Sequence, residues 1–232
     1  MVEALLGLGV PGLSVLVVDD ASPDGTGDIA DRLAAEHPGR VTVLHRTGPR
    51  GLGWAYLAGF RQALADGADV VVQMDCDFSH NPADVPRLLA HIPDHDLVIG
   101  SRYIPGGSTA EEWGWHRKLL SWWANFYART LLGLRIRDVT GGFRAWKRET
   151  LEGIGLDRIR SQGYVFQVEM ACLCERMGYR IMEVPIRFEE RRKGHSKMSL
   201  RVQIEAALRV WEVGWRYRQV KPQGTQRAQR NR

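Results

Sequence analysis

Residues 69–80 read DVVVQMDCDFSH. Val70 to Met74 is an apolar, β-branched run of strand length, which predicts a buried β-strand. Asp75 and Asp77 follow it at i and i+2, with Cys76 between them. That spacing lets both carboxylates face one divalent cation just beyond the strand's end. Oxygen ligands of this kind suit Mg²⁺ or Mn²⁺, which take one or two carboxylates and complete their shell with water and substrate phosphate. Ser79 or a loop carbonyl can add a ligand. A structural assignment competes with this one: one Asp caps the helix that begins near Pro82, and the other is solvated.

Outward from this stretch the same texture repeats. LSVLVV (13–18), VTVL (41–44) and DLVIG (96–100) are further strand-like runs, separated by a helical stretch ending at Glu36 and another from about Trp54. Alternation of strand and helix predicts an α/β fold, a mostly parallel sheet flanked by helices. Three of the runs end in chemistry: Val18 leads into Asp19 and Asp20, Met74 into Asp75, and Gly100 into Ser101 and Arg102. In open α/β sheets ligands lie beyond the carboxyl ends of the strands, so these groups are expected around one crevice.

VVDDASPDGT (17–26) is a strand end, a turn and a helix start, with Ser22 or Asp24 as candidate cap and Gly25 permitting the tight backbone. A carboxylate such as Asp20 at that rim can accept hydrogen bonds from a base N–H or a ribose hydroxyl, while Asp19 either joins it or braces the turn. RTGPRGLGWAYLAGF (46–60) is a basic, Gly-rich loop entering a helix. Its N–H groups with Arg46 or Arg50 can meet a diphosphate, or Gly51 and Gly53 serve packing alone. Arg102 in GSRYIPGG (100–107), and Arg191 and Lys197 in the basic loop 189–199, are cations in flexible settings suited to closing over phosphates. Arg192 and Lys193 read as solvated charges.

Beyond Gly106 the chain becomes Trp- and Arg-rich. WGWHRKLLSWWANFYART (113–130) holds four of the eight Trp residues beside Arg117, Lys118 and Arg129, a mixture that fits a membrane interface or a buried core equally. A TGGFR turn, a helix near Val165 to Met177 and a strand IMEVPIRF (181–188) follow. The last helix is amphipathic, with Leu200, Ile204, Leu208, Trp211 and Trp215 on one face. Residues 218–232 carry Arg and Lys and no acid, and their composition predicts a basic, disordered tail.

With 232 residues, 44% hydrophobic and 25% charged, the chain has the composition of a globular protein with a real core. A net charge of +5 favours an anionic partner. Nucleic acid is excluded as that partner, because the positive groups sit beside a carboxylate cluster that repels a polyphosphate lacking metal. Cys172 and Cys174 read as neighbours on a helix rather than a CxxC pair, which implies a reduced, cytoplasmic setting. No apolar run reaches about 18 residues, and the N-terminus lacks signal-peptide character. The longest approach to a span, 119–134, is interrupted by Asn125 and Arg129.

In this order, VVDDASPDGT, GLGWAYLAGF, MDCDFSH, GSRYIPGG, RKLLSWWAN, DVTGGFRAWKR, GYVFQVEM and VPIRFEERRKGHSKMS resemble the polyprenol or dolichol phosphate mannose synthases, inverting glycosyltransferases of the GT-A fold. The resemblance runs from about Leu13 to Trp215. It implies one GT-A (Rossmann-like) domain over residues 1–217, with a nucleotide-sugar half to about residue 100 and an acceptor half after it. It implies transfer of mannose from GDP-mannose to a polyprenyl phosphate, with Mg²⁺ or Mn²⁺, at the cytoplasmic face of a membrane and with room for a membrane-protein partner. Asp75, Asp77 and Ser79 would hold the metal. Val18, Asp19, Asp20, Gly53 and Cys76 would line the nucleotide site. Asp77, Arg102, Arg191 and Lys197 would act in catalysis, the three cations also clamping phosphates. Arg117, Ser121 and Arg144 would meet the acceptor phosphate, the turn Thr140 to Gly142 would shape the pocket, and Tyr164, Gln167 and Glu169 would contact sugar. The family opens with a strand ending in a PTYNE-like motif, whereas this chain begins at what would be the next helix, which implies a truncated start with exposed ladder groups. The alternatives are a glucosyltransferase using a UDP-sugar and a non-catalytic homologue.

Overall fold

The computed structural model describes residues 1–190 and 200–220, with side chains of the last helix described from residue 205. Arg191 and Lys197, and the tail from residue 221, lie outside the described residues. The first half runs α1 (Val2–Leu6), β1 (Val15–Asp19), α2 (Thr26–Glu36), β2 (Val41–His45), α3 (Leu52–Ala65) and β3 (Val70–Gln73). After a 3₁₀ turn at Pro82–Asp84 come α4 (Val85–Leu89), β4 (Leu97–Ser101), the short β5 (Ser108–Thr109) and α5 (Trp115–Leu132). The chain then forms β6 (Arg144–Lys147), α6 (Arg148–Ile154), α7 (Val165–Arg176), β7 (Ile181–Pro185), β8 (Arg187–Phe188) and α8 (Leu200–Arg216).

Every strand expected from a β-branched run is present, but the one expected over 181–188 is divided at Ile186 into β7 and β8, and the strands do not join in one sheet. β1 and β2 pair parallel, β3-β6-β4-β7 form a four-stranded sheet, and β5 and β8 pair parallel. Within the four-stranded sheet β6 is antiparallel to both neighbours, while β4 and β7 are parallel. β1 and β3 thus each carry one edge without a strand neighbour among the described residues. α3 spans that division: it packs on β1, where Val18 Cγ2 reaches within 3.0 Å of where a Gly59 Cβ would be, and also on β3.

β6 explains how the sheet is covered on both faces. Its pleat sends Phe143 and Ala145 into one apolar cluster with Val98, Val184 and the α4 residues Val85 and Leu88. Trp146 goes to the opposite face with Leu97, Ile99, Phe60 of α3 and Phe166 of α7. The Trp146 indole N–H donates to Gln73 Oε1 at 3.2 Å, which closes the pairing with β3 by a side-chain bond as well.

α7 is buried from Val165 through Cys174, so it is the central helix of the larger cluster rather than an amphipathic surface helix. Glu169 lies on it with no exposed surface. Its carboxylate accepts from Ser161 N (2.6 Å), Tyr217 Oη (2.7 Å) and Arg216 Nη1 (2.8 Å), tying α7 to the 160–161 loop and to the end of α8. The sugar contact expected of Glu169 is therefore corrected: its lone pairs serve the fold. Glu169→Ala leaves those donors unpaired, and should lower unfolding free energy by roughly 3 kcal/mol in urea melts.

A second anchor joins the β1-β2 layer to α2. His45 at the end of β2 contacts Asp31 (2.9 Å) and Asp19 (3.4 Å), and these two carboxylates raise its pKa above the ordinary 6.5. A raised folded pKa contributes stability that is complete below about pH 6.5 and is lost as pH rises through the folded value. The thermal midpoint should therefore fall between pH 6 and pH 8 for this reason, and His45→Gln should remove that part of the fall.

Candidate active site

The ends of β1, β3 and β4 converge with the turn preceding β6, and each contribution follows from local hydrogen bonding. At β1, buried Asp19 accepts from Ser22 N at 3.2 Å, and Ser22 with His45 holds its carboxyl below the ordinary value. Asp19 therefore braces a turn in which Ala21 takes a left-handed φ of 54°. Asp20 accepts from Gly51 N at 2.7 Å and from Arg46, so it fastens the basic loop 46–51 against the end of the strand. Gly53 meets Ser161: an added Cβ would lie 2.8 Å from the Ser161 carbonyl oxygen, and Trp54 N donates to Gln162 Oε1 at 2.9 Å. Its glycine is required by the docking of α3 on that loop. Val18 packs toward α3 beside these groups.

Beyond β3, Asp75 and Asp77 are each held by neutral donors. Asp75 Oδ1 accepts from Tyr56 Oη at 2.9 Å, and Asp75 N donates to His80 Nδ1 at 3.1 Å. Asp77 Oδ1 accepts from Ser79 N at 3.0 Å and from the hydroxyl of Ser79. Burial, then the Asp75 charge, raise Tyr56 well above its usual value, so it remains a donor. Burial lowers His80, whose neutral ring stacks on Phe143 at 5.1 Å and carries its proton on Nε2. The 3₁₀ turn after this loop is capped by Asn81, which accepts from Ala83 N at 3.0 Å. Neither Asp75 nor Asp77 is consumed as that cap, and Cys76 lies exposed between them.

Two hard carboxylates two residues apart fit a Mg²⁺ or Mn²⁺ ion. Among the described residues the one group of three or more His, Cys, Asp or Glu ligand atoms is Glu3, Glu36 and His37, outside this loop. Such an ion at Asp75 and Asp77 would complete its shell from water and phosphate oxygens. Ser79 is fully buried with its hydroxyl directed to Asp77, which makes it the support of a ligand in this arrangement.

At the end of β4, Arg102 is locked to Asp138. Nε donates to Asp138 Oδ2 at 2.8 Å, Nη2 to Oδ1 at 2.7 Å and to Thr140 Oγ1 at 2.8 Å. Asp138 also accepts from Arg102 N (3.0 Å) and Gly141 N (2.9 Å). Burial pushes the Asp138 carboxyl up, but the Arg102 charge and hydrogen bonds outweigh it and hold it below the ordinary value. The turn so fixed abuts the acidic loop: a Cβ on Gly142 would lie 3.6 Å from His80 and Gln167 and 3.7 Å from Asp75 Oδ1. Asp75, Arg102 and the turn Thr140 to Gly142 are therefore one constellation.

The expected acceptor residues divide. Ser121 on α5 bonds Tyr103 Oη at 2.7 Å, next to Arg102, and Arg117 pairs with Glu190 at 2.8 Å while lying over the Trp113 ring at 3.7 Å. Arg144 differs. It is fully buried, and its Nε, Nη1 and Nη2 donate to the carbonyls of Gly141, Gln167 and Val139. It staples the turn from behind and offers nothing to an acceptor, and burial lowers its pKa to about 10. Tyr164 is exposed, and Gln167 is buried with Oε1 unpartnered beside the turn. Sequence reasoning missed Tyr56, His80 and Asp138. Asp138 stood within DVTGGFR, but its partner Arg102 is 36 residues away.

The chain is similar to known proteins on both sequence and structure. The model of "Glycosyl transferase family 2" matches residues 1–155. An undecaprenyl-phosphate mannosyltransferase of Micrococcus luteus is 54% identical over 205 residues, covering 88% of this chain and 84% of that protein. A polyprenol monophosphomannose synthase of Mycolicibacterium smegmatis is 49% identical over 218 residues, covering 94% and 82%. Among solved structures, glucosyl-3-phosphoglycerate synthase from Mycobacterium tuberculosis in complex with UDP superposes with a TM-score of 0.56 at 19% identity, covering 86% of this chain and 68% of that one. The same enzyme with Mn²⁺, UDP-glucose and phosphoglyceric acid gives 0.55, at the same coverage. The chain belongs to glycosyl transferase family 2 and is a glycosyltransferase with the GT-A fold.

Proposed function

We propose that this glycosyltransferase moves mannose from GDP-mannose to the phosphate of a polyprenyl lipid, with inversion, at the cytoplasmic face of a membrane. The observation that carries the reading is the constellation of Asp75, Asp77, Arg102 and the Thr140 to Gly142 turn, in a chain about half identical to two enzymes named for mannose and polyprenyl phosphate. No helix among the described residues is long and apolar enough to cross a membrane.

Residues to about 100 hold the nucleotide sugar, and those after it the acceptor. Asp20 keeps the 46–51 loop in place for the nucleoside, with Val18, Asp19 and Cys76 alongside. Asp75 and Asp77 would hold Mg²⁺ or Mn²⁺, of which Mn²⁺ is bound by the solved structural neighbour. Such an ion would supply charge neutralisation for the departing diphosphate. Tyr56 and Ser79 hold the two carboxylates and His80 holds the Asp75 main chain, so that the pair need not reorganise during transfer. Asp138 takes Nε and Nη2 of Arg102 and so fixes the guanidinium that is assigned to phosphate; Arg191 and Lys197, outside the described residues, are assigned the same work on sequence grounds.

A phosphate monoester has a second pKa of about 6, so the acceptor is already anionic near neutral pH and needs no general base. Its oxygen forms the new bond to the anomeric carbon as the bond from that carbon to the diphosphate breaks, and in-line geometry inverts the centre. Ser121 and Arg117 stand on the acceptor side, where a phosphate can replace Glu190 as the partner of Arg117.

Transfer of label from GDP-mannose to polyprenyl phosphate by the purified chain tests the reading. Asp75→Ala and Asp77→Ala should each lower turnover by about 10²-fold or more, and chelator should do the same to the unaltered chain. Undiminished turnover in excess chelator would end this interpretation. Thermal shift with GDP-mannose and with UDP-glucose, each with Mn²⁺, should show the larger rise for GDP-mannose; the reverse order assigns the chain to a UDP-sugar.

A further inference from the structure

Arg117 of α5 is held by two contacts of different kinds. Its guanidinium carbon lies 3.7 Å from the centre of the Trp113 ring. Trp113 is buried and packs edge-on against Phe188 of β8 at 5.5 Å, in a small cluster completed by Ala110. That contact keeps the cation in place whatever else it binds. The second contact is ionic: Nη1 donates to both carboxylate oxygens of Glu190, at 2.9 and 2.8 Å. The two side chains are 33% and 41% exposed, so water screens the pair and its net contribution is small. Arg117 therefore has a permanent seat and an exchangeable partner.

The pair stands at the rim of the crevice. Phe188, which supports Trp113, also packs edge-on against His80 at 5.2 Å and lies under the Arg102 guanidinium at 5.4 Å. Glu189 N donates to Ser79 O at 2.9 Å, and the Ser79 hydroxyl donates to Asp77. The backbone one residue before Glu190 is thus tied to the acidic loop, and only the Glu190 side chain has to move for Arg117 to change partner. Room for that movement lies beside it, in an open recess of about 430 Å³ lined by Phe78, Asn81, Pro82, Glu112, Glu189 and Glu190. A Glu190 carboxylate turned into this recess meets two others of like charge, which favours its return once Arg117 is vacated.

We propose that Glu190 is an exchangeable counter-ion of Arg117, which yields the cation to the acceptor phosphate and takes it back from the product; this rests on the polyprenyl phosphate reading. The exchange follows from charge. A phosphate monoester carries about −1.5 to −2 near neutral pH, and it outcompetes a single carboxylate for one guanidinium. In the transfer step its oxygen bonds the anomeric carbon, and the diphosphate leaves with the electron pair of the broken bond. The acceptor phosphate is then a diester with a single negative charge. Glu190 keeps its full charge throughout, so the competition for Arg117 turns in its favour when the reaction is complete. Glu190 acts as a positioning residue: it weakens the hold on acceptor and product alike, and what it gains is release.

Calorimetry on the full chain, with a short, water-soluble prenyl phosphate and with its methyl phosphodiester, tests the exchange without any transfer. Glu190→Gln should bind both probes about fivefold more tightly. The same change in an Arg117→Gln background should give no gain, because the cycle of the two substitutions isolates their coupling. Glu112→Gln, which removes a neighbouring carboxylate of the recess, should leave both affinities as they are. In steady state Glu190→Gln should lower KM for the lipid phosphate and deepen inhibition by added product, with KM for GDP-mannose unchanged. Equal gains in both backgrounds, no gain in the first, or binding of neither probe by the unaltered chain would overturn the proposal. Failure of the functional reading looks different: the binding cycle holds, yet no mannose reaches the lipid.

Discussion

The carboxylate of Asp138 has no exposed surface, and everything at the rim of the crevice is arranged so that it stays ionised there. Removing such a group from water costs several kcal/mol unless charge and hydrogen bonds replace the solvent. Arg102 supplies both, through two guanidinium nitrogens and its own backbone N–H, and Gly141 N adds another donor. From the other side Glu183 of β7 accepts from Arg137 N and Asp138 N at 2.8 and 2.9 Å. The buried anion thereby fixes the end of β4 to the turn before β6, and the Glu183 carboxylate ties that turn to β7.

The acidic loop beyond β3 inherits its position from that arrangement. Gly142 lies where an added Cβ would meet Asp75 and His80, because Asp138 and Arg144 hold the turn from two directions, the first by its carboxylate and the second by three bonds to carbonyls. The Asp75 carboxylate accepts from a phenol and the Asp77 carboxylate from a hydroxyl and a backbone N–H, while the His80 imidazole accepts from the Asp75 backbone N–H. These donors carry no charge of their own, so they orient the carboxylates without adding positive charge beside them.

Much of this was legible in the sequence. The five main predicted strands were visible because β-branched runs of four to six residues bounded by polar ones have few other uses. β6 was not: Arg-Ala-Trp-Lys has no β-branched residue, and it is a strand because β3 and β4 leave a place between them. The paired Asp75 and Asp77 were found from spacing alone, whereas Tyr56 and His80 look like ordinary helix and loop residues until the fold brings them to Asp75. Arg144 misled for the opposite reason. A cation beside a Gly-Gly turn resembles a phosphate ligand, and only three-dimensional contacts reveal that its donors are spent on carbonyls. On α8 the apolar positions were readable, but the direction of the described ones was not: Leu208, Trp211 and Trp215 face solvent while Val210 and Val213 face the core, and periodicity cannot rank two apolar faces.

The close approach at Gly53 carries a mechanical meaning. Tyr56 stands one turn farther along α3, so the height at which this helix rests on Ser161 sets where the phenol hydroxyl meets Asp75. The bare backbone at residue 53 works as a spacer of zero thickness. A single methyl group there would tilt α3 as a lever and carry the Tyr56 oxygen out of reach, loosening a carboxylate without altering any residue that touches it.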